Sequence, residues 1–130
     1  MTPEQIARVS AVIDAVGRHP EFSTAFYDRL FVVAPQVAPM FGDIAAQRQK
    51  LADELGAMVQ LLGDLPALDQ RARELGERHR GYGVRSAHYR VARTVMVDTL
   101  HEVLGDEFGA QDEDAWNRAT MLITELMQTR

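Results

Sequence analysis

The sequence predicts an all-α protein of six or seven helices. Three observations carry that expectation. Apolar residues recur at three- and four-residue spacing, helix-starting and helix-stopping residues bracket each such stretch, and no segment sustains strand-like alternation. The 130 residues suit one domain, 1–130. At this length roughly two-thirds of the unfolded surface can be buried, enough for a real core.

The elements follow in order. "TPEQ" at 2–5 matches a capping box, with Thr2 as cap, Pro3 at the first helical position and Gln5 reaching back. Ile6, Val9, Val12, Ile13 and Val16 then form a stripe, and Gly17 can stop the helix. Pro20 opens a second helix, with Phe22, Phe26, Tyr27, Leu30 and Phe31 on one side. Its end, "LFVVAP" at 30–35, could pass for a strand but continues a helical pattern. "APQVAPMFGD" at 34–43 holds two prolines and a glycine, which predicts a short helical turn and a loop.

A longer helix is expected from about Ala45, with Leu51, Leu55, Met58, Val59 and Leu62 as its stripe and Gly63 as its end. The next begins at Asp64 or Leu65, before Pro66, and runs to His79, where Gly81, Tyr82 and Gly83 interrupt it. Ser86 is a suitable cap for a helix over 87–104, and Gly105 a suitable stop. The last helix starts near residue 112, with Trp116, Ala119, Leu122, Ile123, Leu126 and Met127 facing inward. Loops rich in Pro or Gly interrupt the pattern, so a simple four-helix up-and-down bundle is a poor fit.

Composition narrows the function. Hydrophobic residues make up 46% and charge is well mixed, which describes a globular chain. A net charge of −5 argues against a nucleic-acid partner, because a phosphate backbone needs a basic face. There is no cysteine, which excludes disulfides, zinc–thiolate sites, iron–sulfur clusters and C-x-x-C-H haem attachment. The N-terminal "MTPEQIARVSAVIDAVG" has no basic start and no unbroken apolar run, so neither a signal peptide nor a membrane span is expected. The expected setting is the cytoplasm, which the lack of cysteine suits.

The histidines are His19, His79, His88 and His101. None sits in H-E-x-x-H or Glu-x-x-His spacing for zinc or a di-iron centre. "HRGYG" lacks the Lys and Ser/Thr of a phosphate loop, and no G-x-S-x-G or thiol nucleophile exists. Taken singly, the polar candidates read as ordinary. His79 suits the dipole at a helix C-terminus, Tyr27 sits at a core edge, Gln47 lies in a first helical turn, and Phe41 can anchor a core. His19, His88 and His101 read as structural or solvated.

In combination and order, these residues form a pattern. "FYDRLF" at 26–31, "PMF" at 39–41, "QRQKL" at 47–51, "LGERHRGYGV" at 75–84 with "HY" at 88–89, and "DAW" at 114–116 resemble a single-domain bacterial globin. The likeness is to the globin domain of flavohaemoglobins and to related bacterial haemoglobins, and it covers almost the whole chain. It implies a globin fold around a pocket for haem b. His79 matches the proximal histidine that binds the iron through Nε2, Phe41 the phenylalanine that packs on the haem face, and Tyr27 and Gln47 the distal polar pair. Leu51 matches the distal apolar residue, and Val84 and Tyr89 match proximal neighbours. Leu55 and Met96 complete the expected apolar lining. Gly81 and Gly83 would let the chain turn sharply after the ligand.

The resemblance implies oxygen, nitric oxide and carbon monoxide as ligands, with oxygen bound reversibly. It implies nitric oxide dioxygenation when an external reductase supplies electrons, since no flavin or nicotinamide domain is expected in this chain. The family's proximal glutamate counts to just past Arg130, and Glu125 lies too early to replace it. His79 is therefore expected as an ordinary neutral ligand hydrogen-bonded to a backbone carbonyl. Two other readings are compatible with the residues: a gas sensor acting through a partner protein, and a haem-free helical interaction module. An acidic surface suits a monomer, while an apolar face of the last helix would suit a homodimer.

Overall fold

The computed structural model describes residues 1–129. It contains six α-helices: α1 (Pro3–Gly17), α2 (Phe22–Val33), α3 (Ile44–Gln60), α4 (Leu65–Gly81), α5 (Ser86–Leu104) and α6 (Ala110–Gln128). A 3₁₀ segment, Pro35–Met40, joins α2 to the loop before α3, and a 3₁₀ turn, Gly105–Glu107, follows α5. No strand occurs among the described residues. Among the described residues no helix is long and apolar enough to cross a membrane.

Several ends form as the sequence dictates. Thr2 accepts from the Gln5 amide at 3.1 Å while the Gln5 side chain accepts from the Thr2 amide at 2.9 Å. Asp43 caps α3 through Ala46, and Asp64 caps α4 through Ala67. Gly105 takes a left-handed φ of 54° as α5 ends.

Other ends differ from expectation, each for a local reason. α2 begins at Phe22 rather than Pro20, because the Phe22 amide first closes a turn onto the His19 carbonyl at 3.0 Å. α3 ends at Gln60, ahead of Gly63, as the Leu61 and Leu62 amides turn back onto Met58 and Val59. Ser86 is the first residue of α5 rather than its cap. His88 takes over the capping role, its Nδ1 accepting from the Arg85 amide at 2.8 Å, while the Ser86 hydroxyl donates to Gln128. α6 starts at Ala110, where Asp112 accepts from the Gly109 amide at 3.0 Å.

α4 packs most extensively on α6, α6 on α1, α2 on α5, and α1 on α3. The tightest core lies where Val9, Val12, Leu68, Leu100 and Trp116 are almost wholly buried. One glycine fixes the α4–α6 crossing. A Cβ built on Gly76 would lie 1.7 Å from the Met127 carbonyl oxygen, so only glycine allows the helices so close. The Arg80 guanidinium then donates to that same carbonyl at 3.1 Å. Together these contacts set how α4 sits on α6, and so where the last turn of α4, carrying His79, projects.

Candidate functional site

α3 shows how the sequence builds an open apolar face. Its only fully buried residues are Met58 and Val59, near its C-terminal end. Gln47, Leu51 and Leu55 lie at four-residue spacing toward its start, and all three are half-buried. Asp43 fixes the first turn, since its side chain accepts from Ala46 and its carbonyl from the Gln47 amide at 3.1 Å. Arg48, next in sequence, donates to Asp28 of α2 at 2.7 Å and ties the two helices together.

α2 supplies Tyr27, 4% exposed. Its ring meets Phe41 edge-on at 5.4 Å, Phe26 at 5.1 Å and Phe31 at 6.1 Å. Phe31 and Phe41 also meet edge-on at 5.6 Å, so the three rings Tyr27, Phe31 and Phe41 form one cluster. Burial pushes the Tyr27 hydroxyl pKa up to about 12, opposed only by the nearby Arg48 charge. The phenol therefore keeps its proton and remains a donor. No hydrogen bond joins it to Gln47.

The last turn of α4 carries His79. Its Nδ1 lies 2.8 Å from the Leu75 carbonyl. A carbonyl only accepts, so Nδ1 carries the proton and Nε2 keeps its lone pair. Burial holds the imidazole pKa below the usual histidine range, partly offset by that hydrogen bond, so the ring is neutral. The chain after it winds back tightly, with the Tyr82 and Val84 amides both donating to the His79 carbonyl, at 3.0 and 3.1 Å. Only Gly83 needs glycine here, with φ of 90°. Gly81 belongs to the helix and a Cβ there would meet nothing, so the sharp turn expected of both glycines rests on Gly83 alone.

Tyr89 of α5 stacks on His79, the rings 6.1 Å apart and inclined by 22°. Its hydroxyl is buried without a hydrogen-bond partner. Val84 is half-buried beside this pair in sequence, while Met96 lies two turns further along α5 inside the packed core. The structure thus brings Tyr27 to Phe41 and His79 to Tyr89 and Val84, and lines Gln47, Leu51 and Leu55 along one face. Sequence reasoning missed Phe31 and Arg48 as parts of this site. Phe31 had a legible signal, standing four residues after Tyr27 on one helix face. Arg48 had none, because its pairing with Asp28 crosses between helices.

The globin family model matches residues 24–127. The chain belongs to the globin family. This globin is 29% identical to a flavohemoprotein of Bordetella pertussis over 98% of its own length and 33% of that protein's. It is 27% identical to an anaerobic nitrite reductase of Oryza sativa, covering 72% of this chain and 70% of that one. The chain therefore spans about a third of the flavohemoprotein's length. An engineered carbene transferase, RmaNOD of Rhodothermus marinus, superposes with a TM-score of 0.86 at 25% identity, covering 98% of this chain and 90% of that one. A bacterial globin of Campylobacter jejuni shares the fold, with a TM-score of 0.78 at 19% identity over 98% and 96% of the two chains.

Membership of the family implies haem, and the residues fit one on three counts. A neutral imidazole presents an unprotonated Nε2. Phe31, Phe41, Leu51, Leu55 and Val84 are apolar yet only partly buried by protein. The Tyr89 hydroxyl beside His79 is a buried donor without a protein acceptor.

Proposed function

We propose that this globin binds haem b, which His79 at the end of α4 would hold through Nε2 together with the half-buried apolar face of α3, and that it reversibly binds oxygen, nitric oxide and carbon monoxide. The observation that carries the reading is the His79 tautomer: the Leu75 carbonyl takes Nδ1–H and leaves Nε2 as the metal-binding nitrogen. When bound, haem supplies an iron that coordinates a diatomic ligand and shares electron density with it.

The chain's own residues do the rest. Phe41, Leu51, Leu55, Val84 and Tyr89 would hold the macrocycle by apolar contact, with Met96 closing the core behind them. Tyr27, protonated up to a pKa of about 12, would donate to a ligand that has gained negative charge. The Gln47 amide would be a second donor from α3. His79 leans on a backbone carbonyl rather than a carboxylate, so it is a moderate electron donor, suited to ligand binding more than to peroxidase-like chemistry.

With electrons from an external reductase, the same site would join nitric oxide to oxygen and give nitrate, one electron being consumed per turnover. The flavohemoprotein relatives and the Rhodothermus marinus protein, described as a candidate nitric oxide dioxygenase, support this extension. The reading sets this globin domain in the cytoplasm, where cellular reductants are kept.

The test is reconstitution with haemin. Wild type is expected to give a Soret band that shifts with carbon monoxide after reduction. His79→Ala is expected to lose haem far faster and to lose the thermal stabilisation that haem confers, since a ligand bound only by the folded state stabilises it. A wild-type protein that refuses haemin, or a His79→Ala variant with an unchanged spectrum and melting temperature, would overturn the reading.

A further inference from the structure

The charge of this globin is distributed unevenly. Residues 71–93 carry seven arginines against two acids, Glu74 and Glu77. The whole chain is net −5, so the segment is net +5 and the remainder is net −10. The segment covers the last turns of α4, the turn after His79 and the first turns of α5.

Four of the seven arginines have structural work. Arg71 pairs with Glu54 and Arg73 with Asp69. Arg80 donates to the Met127 carbonyl and Arg93 to Thr124. The other three, Arg78, Arg85 and Arg90, are exposed and join no ion pair among the described residues. Among them stands Tyr82, 59% exposed and the only aromatic residue among the exposed large hydrophobic side chains described. The Tyr82 and Val84 amides bind the His79 carbonyl, so Arg78, Tyr82 and Arg85 are held within one tight turn of the axial histidine. Arginine and tyrosine are the residues that anchor protein interfaces, and a field of one sign steers a partner of the other.

We propose that this face, centred on Arg78, Tyr82 and Arg85, is where an acidic electron-donor protein docks. The inference rests on the haem reading above and names the kind of reductase that serves it. A donor ringed by carboxylates is drawn to this net-positive segment of an otherwise acidic chain and delivers its electron beside His79. The two carboxylates of a haem would still leave the segment net positive. Three free arginines fall short of the polybasic clusters that hold proteins on anionic lipid, and the rest of the surface is repelled by such a membrane. A protein partner is therefore the better fit.

The experiment uses a strongly acidic flavodoxin as probe. Oxidised flavodoxin, titrated into the ¹⁵N-labelled protein, is expected to shift the amides of Arg78, Tyr82 and Arg85 first. Reduced flavodoxin is expected to reduce the ferric haem protein at a rate that falls about tenfold on adding salt, and about tenfold again in the double variant Arg78→Glu, Arg85→Glu. Photoreduced lumiflavin, a small neutral donor, is expected to react with both proteins at rates within about twofold of each other. Shifts that map elsewhere, or equal flavodoxin rates in wild type and variant, would overturn the proposal. So would arginine-dependent binding to phosphatidylglycerol vesicles without any response to flavodoxin. Failure of the haem reading shows separately, as no Soret band after haemin, and would take this proposal with it whatever the amide shifts do.

Discussion

Leu68 on α4 and Leu55 on α3 are the same residue type on amphipathic helices, yet they end in different surroundings. Leu68 is wholly buried in a core that includes Val9, Val12, Leu100 and Trp116. Leu55 lies on the half-buried α3 face with Leu51, alongside Phe31, Phe41 and Val84 as apolar side chains left partly open. Where the backbones close to carbonyl contact, as at Gly76, protein alone completes the packing. Where a 3₁₀ segment and loop separate α2 from α3, apolar side chains face each other without being fully covered. One region is completed by protein alone, and the other keeps its apolar side chains only half-covered.

That contrast is breakable by substitution. Leu68→Ala is expected to destabilise the haem-free protein by about 3.5 kcal/mol, through lost burial and a cavity, whereas Leu55→Ala is expected to cost about 1 kcal/mol. Urea unfolding of the two variants checks this, and equal losses would abolish the distinction between the regions. Gly76→Ala is expected next, at about 3 kcal/mol, because the added methyl meets backbone that cannot swing away. The same measurement reads it, and a near-neutral result would mean that the α4–α6 crossing is looser than drawn.

On the open side, Tyr27→Phe removes a donor without changing shape. A hydrogen bond to a charged ligand is worth about 1.5–3 kcal/mol, so oxygen release is expected to speed up roughly ten- to a hundredfold while folding stability barely changes. Stopped-flow release and a thermal melt together sharpen the comparison. An unchanged release rate would overturn the distal role proposed for Tyr27.

The smallest effect concerns pH at the edge of the packed side. His19 bridges Glu21 and Glu107, at 3.1 and 3.3 Å, linking the α1–α2 turn to the turn after α5. Hydrogen bonds that the ring donates to the Glu21 and then the Glu107 carboxylate raise its pKa above the ordinary 6.5. A raised folded-state value means the stabilisation is present below pH 6.5 and is lost as pH rises through the higher folded value. His19→Ala is therefore expected to lower the melting temperature slightly at pH 6 and hardly at all at pH 8. A deficit that persists at pH 8 would assign His19 a packing role instead.

Much of this molecule is legible in its sequence. Periodicity, Thr2, Asp64, Gly105 and the prolines announced helices near their observed limits, because capping and backbone restriction act within four or five residues. The order of Tyr27, Phe41, Gln47, His79 and Tyr89 pointed to the family. Local chemistry was misread where a neighbour competed, as when His88 rather than Ser86 satisfied the start of α5.

What the sequence by itself determined was therefore the set of helices, the stripe each one buries, and which side chains have the chemistry for a haem site. What only the tertiary structure decided was which apolar residues become fully buried core and which stay half-buried. Gly76 against Met127 and Arg48 on Asp28 belong to that second class. The physical reason is range. Capping, periodicity and the His79–Leu75 hydrogen bond are settled between residues a turn apart, while burial and interhelical pairing depend on groups that only folding brings together.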